Sequence, residues 1–187
     1  MTRFVAPAPT ELDGCERALY DDIVTGPRAA AGATLVDSDG RLTGPFGPML
    51  LTPTVGDLLQ GTGLACQRSW SQEPALRELV ILSVAACRGC EYEWNAHVAR
   101  AHGLGVPAQH IAAVREGLTD PGMDAHTRAA LVLVQALLHH EPIDDIGYAE
   151  LAELIGPKAA FEIVALVGYY ETLANIFRVF SSESQPG

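Results

Sequence analysis

The sequence has few basic residues. Its 187 residues include 12 Lys and Arg against 23 Asp and Glu, so the formal net charge is −11. Nucleic acids and anionic membranes are bound by clusters of Lys and Arg, and an acidic surface repels them. The acidic residues form no long run, so we expect them to be spread over solvent-facing sides of the fold. We therefore expect neither nucleic acid nor a membrane as a partner.

Long uninterrupted apolar runs are also absent. Residues 1–14 contain one Arg and no apolar core, so they do not resemble a signal peptide. A membrane span needs about 18–20 consecutive apolar residues. The longest candidate, residues 161–180, is interrupted by Glu162, Glu171 and Arg178, which favours a buried helix. We therefore expect a cytoplasmic protein.

Cysteine is scarce as well. Four cysteines in a chain without a secretory leader do not make a disulfide scaffold. Cys15 and Cys66 each stand alone in a helical pattern, where we expect a small, buried apolar side chain. Cys87 and Cys90 are instead spaced as C-x-x-C, which brings two sulfurs together across a helix start. Such a pair can cycle between dithiol and disulfide or chelate a metal; alternatively, Cys87 simply faces the core.

Strand patterns are missing too, since no segment alternates apolar and polar residues. Apolar residues make up 48% of the chain and aromatic residues 6%, with Ala and Leu conspicuous. This composition and length indicate one helical domain, residues 1–187, with a core of its own. Helical spacing and capping signals predict an all-α fold of about eight helices. They cover approximately residues 10–24, 54–69, 76–86, 90–103, 107–116, 124–140, 144–156 and 157–180.

Two of these segments carry further expectations. The helix over 54–69 has Val55, Leu58, Leu59 and Leu64 as its apolar side, which we expect to be buried. The connection before it, residues 25–49, is long and rich in Gly and Pro, as in loops that are functional or wrap a neighbour.

Glu78 lies in the predicted helix 76–86, whose apolar residues go nearly all round. Such a helix is buried, either in the core of the protein or between subunits. A lone carboxyl there is costly unless it is paired, and burial alone would raise its pKa towards neutrality. Glu78 is therefore a candidate proton donor or acceptor.

Cys90, Glu93 and His97 follow the break at Arg88 and Gly89. On a helix, residues three and four apart are neighbours, so these three side chains form a line on one face. A thiol at a helix N-terminus is favoured as thiolate, and a carboxyl beside an imidazole orients a proton relay. The alternatives are an inert buried thiol and an ordinary surface pair of Glu93 with His97.

A metal site is the less favoured interpretation of this cluster. Zinc would need four ligands, which the C-x-x-C pair supplies together with Glu93 and His97. No second C-x-x-C or H-x-x-x-H completes a recognised zinc pattern, so we expect no metal and no cofactor. Tyr169, Tyr170 and Glu171 are expected to serve the core and a helix cap.

These residues together resemble a known family. Glu78, eleven intervening residues, Cys90, and then Glu93 and His97 lie in RELVILSVAACRGCEYEWNAH. This spacing is similar to the motif of the carboxymuconolactone decarboxylase / alkylhydroperoxidase D superfamily. The segments GPFGPMLLTP before it and EIVALVGYYETLANIF after it also resemble that superfamily, so the similarity covers most of the chain.

The resemblance implies an all-helical fold that assembles as a homotrimer or homohexamer. In the peroxidase branch, a glutamate and a histidine move protons while two cysteines reduce a hydroperoxide. Glu78, Cys90 and His97 match the glutamate, the first cysteine and the histidine. The second cysteine, which attacks peroxide, falls on Glu93, and Cys87 is the residue left to supply a resolving thiol. The decarboxylase branch removes CO₂ from a carboxylated lactone without a cofactor.

Three functions are therefore open. The first is a thiol-dependent, peroxidase-like oxidoreductase that uses a Glu–Cys–His relay on a small hydroperoxide. The second is a cofactor-independent decarboxylase or other lyase or isomerase acting on a small organic acid, with Glu78, Glu93 and His97 as acid–base groups. The third is an oligomeric protein that binds a small molecule without turnover.

Overall fold

The structure, a computed structural model, describes residues 3–29 and 35–181. Within these residues the chain is all-α, as predicted, and contains no strand, only an isolated bridge between Val36 and Leu42. A 3-10 turn, Pro9–Glu11, precedes nine α-helices. They are α1 Gly14–Thr25, α2 Phe46–Met49, α3 Pro53–Arg68, α4 Pro74–Cys87, α5 Glu91–Gly103, α6 Ala108–Arg115, α7 Ala125–His139, α8 Asp145–Leu154 and α9 Gly156–Phe180.

The first helix begins later than its sequence pattern predicted. Helix α1 starts at Gly14, because the Asp13 side chain accepts hydrogen bonds from the backbone N–H groups of Cys15 and Glu16 at 3.0 and 3.1 Å. The short α2 was not predicted. It lies in the long connection, where Phe46 and Met49 are buried. Residues 30–34 of that connection lie outside the described residues.

Contacts between residues divide the chain into two compact units. In described residues, one contains 3–29, 35–68 and 175–181, and the other contains 69–174. Whether they form the single domain expected from the sequence stays a prediction.

In the first unit, α3 packs through small residues, and the prediction for its buried side was wrong. Val55 and Leu58 are 60% and 69% exposed, whereas Gly56 and Gly63 are buried. A Cβ atom on Gly56 would lie 2.4 Å from the Met49 carbonyl oxygen. The close approach of the α3 backbone to α2 therefore requires glycine. Val55 and Leu58 face outward, and Leu59 and Leu64 are only half-buried.

Two cysteines of this unit also differ from expectation. Cys15 is exposed and Cys66 is half-buried, rather than both being core residues. Cys15 is the second residue of α1, in its exposed first turn, while the buried residues of that helix begin with Leu19. Neither cysteine therefore acts as a buried apolar side chain.

The second unit is built around α4. Nine of its residues are buried, Glu78 among them, and an apolar cluster of α4, α5, α6 and α7 packs on one side of it. The predicted burial of α4 on nearly all sides is confirmed, and residues of the same chain provide it. Gly89 adopts φ +62° after α4, a conformation that favours glycine. Cys90 is the N-cap of α5, and its N–H donates to the Ala85 carbonyl at 2.8 Å.

Caps set the remaining helix starts of this unit. The Asp124 and Asp144 side chains accept from the N–H groups of Thr127 and Gly147, both at 2.8 Å. His140, in the left-handed conformation, ends α7.

Helix α9 is only partly buried. Among the described helices it is the one long and apolar enough to span a membrane by length and composition, with a mean hydropathy of 1.3 over its best 18 residues. A third of that window, 33%, is buried, and Phe161 is 73% exposed. Core helices pass the same test, so this is weak evidence for a membrane span.

Candidate active site

Glu78 and His97 form a buried pair that joins α4 to α5. The Glu78 Oε2 atom lies 2.6 Å from Nδ1 of His97, and the two side chains are 2% and 3% exposed. The sequence predicted both residues for one site, and the structure brings them into direct contact. An ionised carboxylate only accepts hydrogen bonds, so Nδ1 carries the hydrogen and donates it to Glu78.

Each member of the pair stabilises the charged form of the other. Burial alone would raise the pKa of Glu78, but the hydrogen bond from His97 and the charges of His97 and Arg77 outweigh it and lower this pKa below 4.5. Burial alone would lower the pKa of His97, but its contacts with Glu78 and Glu93 outweigh it and raise this pKa above 6.5. The predicted rise in the pKa of Glu78 is therefore wrong, because the carboxyl is paired.

The other ring nitrogen of His97 meets three groups. Nε2 lies 3.4 Å from Oε2 of Glu93, 3.2 Å from the hydroxyl oxygen of Tyr170 and 3.4 Å from Nη1 of Arg100. Glu93 is 6% exposed, so the pair with His97 is not the ordinary surface pair that the sequence left open. A protonated Nε2 can donate to Glu93 or Tyr170, whereas Arg100 can only donate to an unprotonated Nε2.

Tyr170 is the site residue that sequence reasoning missed. It belongs to α9, and its ring lies edge-on to the His97 ring with centroids 5.3 Å apart. Burial raises the pKa of Tyr170 well above 10, and the nearby charge of Glu93 adds to this rise, so the hydroxyl stays protonated. The sequence did offer one signal for Tyr170, a tyrosine within an apolar helix. A buried hydroxyl needs a hydrogen-bonding partner, so such a tyrosine is a candidate for a polar cluster.

Arg77 holds the outer oxygen of Glu78. Its Nη2 atom lies 3.1 Å from Glu78 Oε1, on the side of the carboxylate away from His97. Each carboxylate oxygen of Glu78 thus contacts a cationic side chain, Arg77 on Oε1 and His97 on Oε2. This arrangement fixes its orientation and keeps it ionised.

The two thiols of the C-x-x-C pair have different surroundings. Cys90 is 7% exposed at the start of α5, one turn before Glu93, and Cys87 is partly exposed at the end of α4. Neither forms a disulfide with another described cysteine. The Cys87 sulfur lies 3.6 Å from Nη1 of Arg88, whose Nε donates to Glu171 at 2.9 Å. Glu171 therefore anchors the turn between the thiols, rather than only capping a helix.

No group of three or more His, Cys, Asp or Glu residues among those the structure describes is arranged to hold a metal ion. The C-x-x-C pair, Glu93 and His97 therefore do not form the four-ligand cluster that was considered from the sequence.

Residues 55–136 match the sequence model of the Carboxymuconolactone decarboxylase family, a segment that includes Glu78, Cys90, Glu93 and His97 but not Tyr170. No curated protein matches the sequence.

Two solved structures are similar in fold. One is a protein of unknown function from Agrobacterium tumefaciens, named as a candidate antioxidant defence protein AhpD; it is 18% identical, with 78% of this chain and 99% of that chain covered and a TM-score of 0.64. The other is the debrominase Bmp8, a cysteine-to-alanine variant in complex with 2,3,4-tribromopyrrole; it is 18% identical, with 98% and 93% covered and a TM-score of 0.68. At this identity the likeness shows the fold. This fold and the match of residues 55–136 to the family model both support the resemblance of the chain to the carboxymuconolactone decarboxylase / alkylhydroperoxidase D superfamily.

Proposed function

We propose that the protein is a cofactor-independent lyase or isomerase of the decarboxylase type, acting on a small carboxylated organic acid such as a lactone acid. One observation supports this most directly: a buried imidazole has a carboxylate on Nδ1 at 2.6 Å and acid–base groups around Nε2. This arrangement moves protons without requiring a change of oxidation state.

The catalytic role of His97 follows from its two contacts. Glu78 holds the Nδ1 hydrogen, so Nε2 is the atom that exchanges a proton with the substrate. In a decarboxylation, the bond between the carboxylate carbon and its neighbour breaks and CO₂ leaves. The electron pair stays on the substrate carbon, delocalised into an adjacent carbonyl, and that carbon then takes the proton from Nε2. Solvent restores the proton on His97.

Glu93 is the residue that favours acid–base over sulfur chemistry. It stands at the position where the resembling peroxidases have their second cysteine, and its carboxylate approaches His97 Nε2 at 3.4 Å. At this position of α5 the ring nitrogen thus meets a carboxylate rather than a thiol. General acid–base groups of this kind contribute roughly 10²–10⁴-fold each to a rate.

A thiol-dependent peroxidase is the second candidate, favoured by Cys90. A thiol at the N-cap of α5, one turn from Glu93, lies at a helix end that favours thiolate. The Cys90 sulfur would attack one peroxide oxygen, the O–O bond would break, and the departing alkoxide would take a proton from His97. The resulting sulfenic acid would condense with a thiol, either Cys87 or a low-molecular-mass thiol, releasing water. A second thiol would then reduce the disulfide.

One set of assays separates these functions. Wild type, Cys87→Ser and Cys90→Ser are mixed with a carboxylated lactone, with an alkyl hydroperoxide or with 2,3,4-tribromopyrrole, the ligand of the debrominase. CO₂ release or isomerisation that survives in both serine variants supports the acid–base enzyme. A Cys87–Cys90 disulfide or a Cys90 sulfenic acid, detected by mass, supports the peroxidase instead. Ligand-induced thermal stabilisation without turnover would leave a binding protein.

We also propose that the protein works as a homotrimer or homohexamer, because its superfamily resemblance implies this assembly. Large apolar residues on α3 and α9, such as Leu58 and Phe161, are 69% and 73% exposed in the single chain and are suited to subunit contacts. Light scattering of the purified protein gives the mass directly. A monomer at micromolar concentration would exclude the assembly.

A further inference from the structure

Arg100 is the cation of the site that has no acidic partner. It lies on α5, three residues beyond His97, is partly buried, and places Nη1 3.4 Å from His97 Nε2. Within the described residues this is the single hydrogen bond of its guanidinium, and no carboxylate oxygen lies within 4.0 Å of its nitrogen atoms.

Among the other partly buried arginines of this unit, Arg128 donates to the backbone carbonyls of Pro121 and Met123, and two are paired with a carboxylate. Arg77 pairs with Glu78 and Arg88 pairs with Glu171. A guanidinium presents five N–H donors in a planar fork that fits a carboxylate, and each of these two arginines uses it in that way. No carboxylate within the described residues uses the donors of Arg100 in that way.

The charges around His97 indicate which kind of ligand Arg100 could bind. On α4 the groups are Arg77 and Glu78; on α5 they are Glu93 and Arg100; on α9 it is the neutral Tyr170. When His97 is protonated, three cations face two carboxylates, which leaves one excess positive charge. A guanidinium 3.4 Å from an imidazolium is repelled by it. A bound anion would remove that repulsion.

We propose that Arg100 binds a carboxylate of the substrate, so that the site selects small organic anions over neutral molecules of the same shape. This inference rests on the proposed function for its class of substrate. A carboxylate gripped by two N–H groups of Arg100 has a defined orientation. The reacting carbon of the same molecule then lies within reach of His97 Nε2, so Arg100 both selects and positions the substrate.

The test compares binding of carboxylates with binding of their neutral amides. Wild type, Arg100→Gln, Arg100→Lys and the control Arg68→Gln are titrated with benzoate, succinate, benzamide and succinamide by calorimetry at pH 6 and low salt. Arg68 is an exposed arginine at the end of α3, in the other unit, so its substitution matches the loss of charge. Circular dichroism melts establish that each variant is folded.

We expect wild type and Arg68→Gln to bind at least one carboxylate equally well and to bind the amides far more weakly. Arg100→Gln should weaken carboxylate binding about 10- to 100-fold, the usual range for a lost charge-assisted hydrogen bond, and Arg100→Lys should lose less. Equal binding by Arg100→Gln, equal binding of amides, or no binding of either carboxylate to wild type would overturn the inference. If Arg100→Gln fails to fold, the comparison of carboxylate with amide on wild type and on Arg100→Lys decides it.

The outcome can be told apart from the fate of the proposed function. Carboxylate binding that depends on Arg100, in a protein that releases no CO₂ and isomerises no lactone acid, would contradict the lyase and retain the anion site. Lyase activity that Arg100→Gln keeps, with KM and kcat both unchanged, would retain the lyase and contradict the anion site.

Discussion

The Oε2 atom of Glu78 lies 2.6 Å from Nδ1 of His97, although the two residues are 19 positions apart on different helices. Neither charge would be tolerated alone at this depth, since burial of an unpaired ion is costly. Placed together, each raises the stability of the other's charged form. The pair is thus a structural element of the second unit and, in the proposed function, the centre of the proton transfer.

Replacing Glu78 should show both roles. We expect Glu78→Gln to lower the pKa of His97, because the anionic partner of Nδ1 is lost, and to reduce turnover about 10²–10⁴-fold. An NMR titration of the imidazole and steady-state kinetics measure the two effects. Glu91→Gln, which removes a partly exposed glutamate paired with Arg115, is the control. An unchanged pKa of His97 in Glu78→Gln would contradict the relay.

The pair should also shape the dependence of stability on pH. The pKa of His97 is raised from 6.5 in the folded state. Its contribution to the free energy of unfolding is therefore complete below pH 6.5 and is lost as pH rises through the folded pKa. The pKa of Glu78 is lowered from 4.5, so its contribution is complete above pH 4.5 and is lost as pH falls through the folded pKa.

We therefore expect the largest benefit of the pair between pH 4.5 and 6.5. Urea unfolding of wild type and of the double variant Glu78→Gln with His97→Gln, followed across pH, measures it. The difference in unfolding free energy should shrink on both sides of this window. A constant difference would show that the two charges do not stabilise each other.

Tyr170→Phe tests the hydroxyl that touches His97 Nε2 at 3.2 Å. The ring still packs, so we expect a loss of only about 0.5–1.5 kcal/mol in unfolding free energy, the value of one hydrogen bond. Turnover should fall and its pH profile should shift, because the environment of the catalytic nitrogen changes. Tyr148→Phe alters an exposed phenol, 55% exposed, and serves as the matched control. If both variants keep the wild-type profile, Tyr170 has no role beyond packing.

Cys90→Ser separates sulfur chemistry from acid–base chemistry. We expect it to abolish any hydroperoxide turnover while leaving the fold intact, because serine fits the space of a thiol at the N-cap and also caps helices well. Lyase turnover should survive within a few-fold. Thiol titration and CO₂ release in the same preparations measure both. Peroxide reduction retained by the variant would remove Cys90 from that mechanism.

Two glycines of α3 provide a test of the fold. A Cβ atom on Gly56 would lie 2.4 Å from the Met49 carbonyl oxygen, whereas one on Gly61 would meet nothing within 4 Å. We expect Gly56→Ala to cost about 1–3 kcal/mol of unfolding free energy through overpacking. Gly61→Ala should stabilise the helix by up to about 1 kcal/mol. Chemical denaturation distinguishes them, and equal effects would show that α3 does not pack through Gly56.

The sequence was most informative where local rules decide the outcome. The break at Gly89, the caps at Asp124 and Asp144, and the near all-round burial of α4 all follow from propensity and periodicity. It was wrong about α3, because an apolar stripe predicts a buried face. The stripe does not reveal that glycines on the opposite side allow a closer backbone contact.

For the site, the sequence by itself determined that Glu93 and His97 are neighbours on one helix, since their spacing of four residues fixes this. It also identified Glu78 as a buried carboxyl in need of a partner. Only the tertiary structure decided that this partner is His97, that His97 and then Arg77 outweigh the effect of burial on the pKa of Glu78, and that Tyr170 closes the cluster. These are contacts between helices distant in the sequence, and such contacts depend on packing angles and distances that no local pattern encodes.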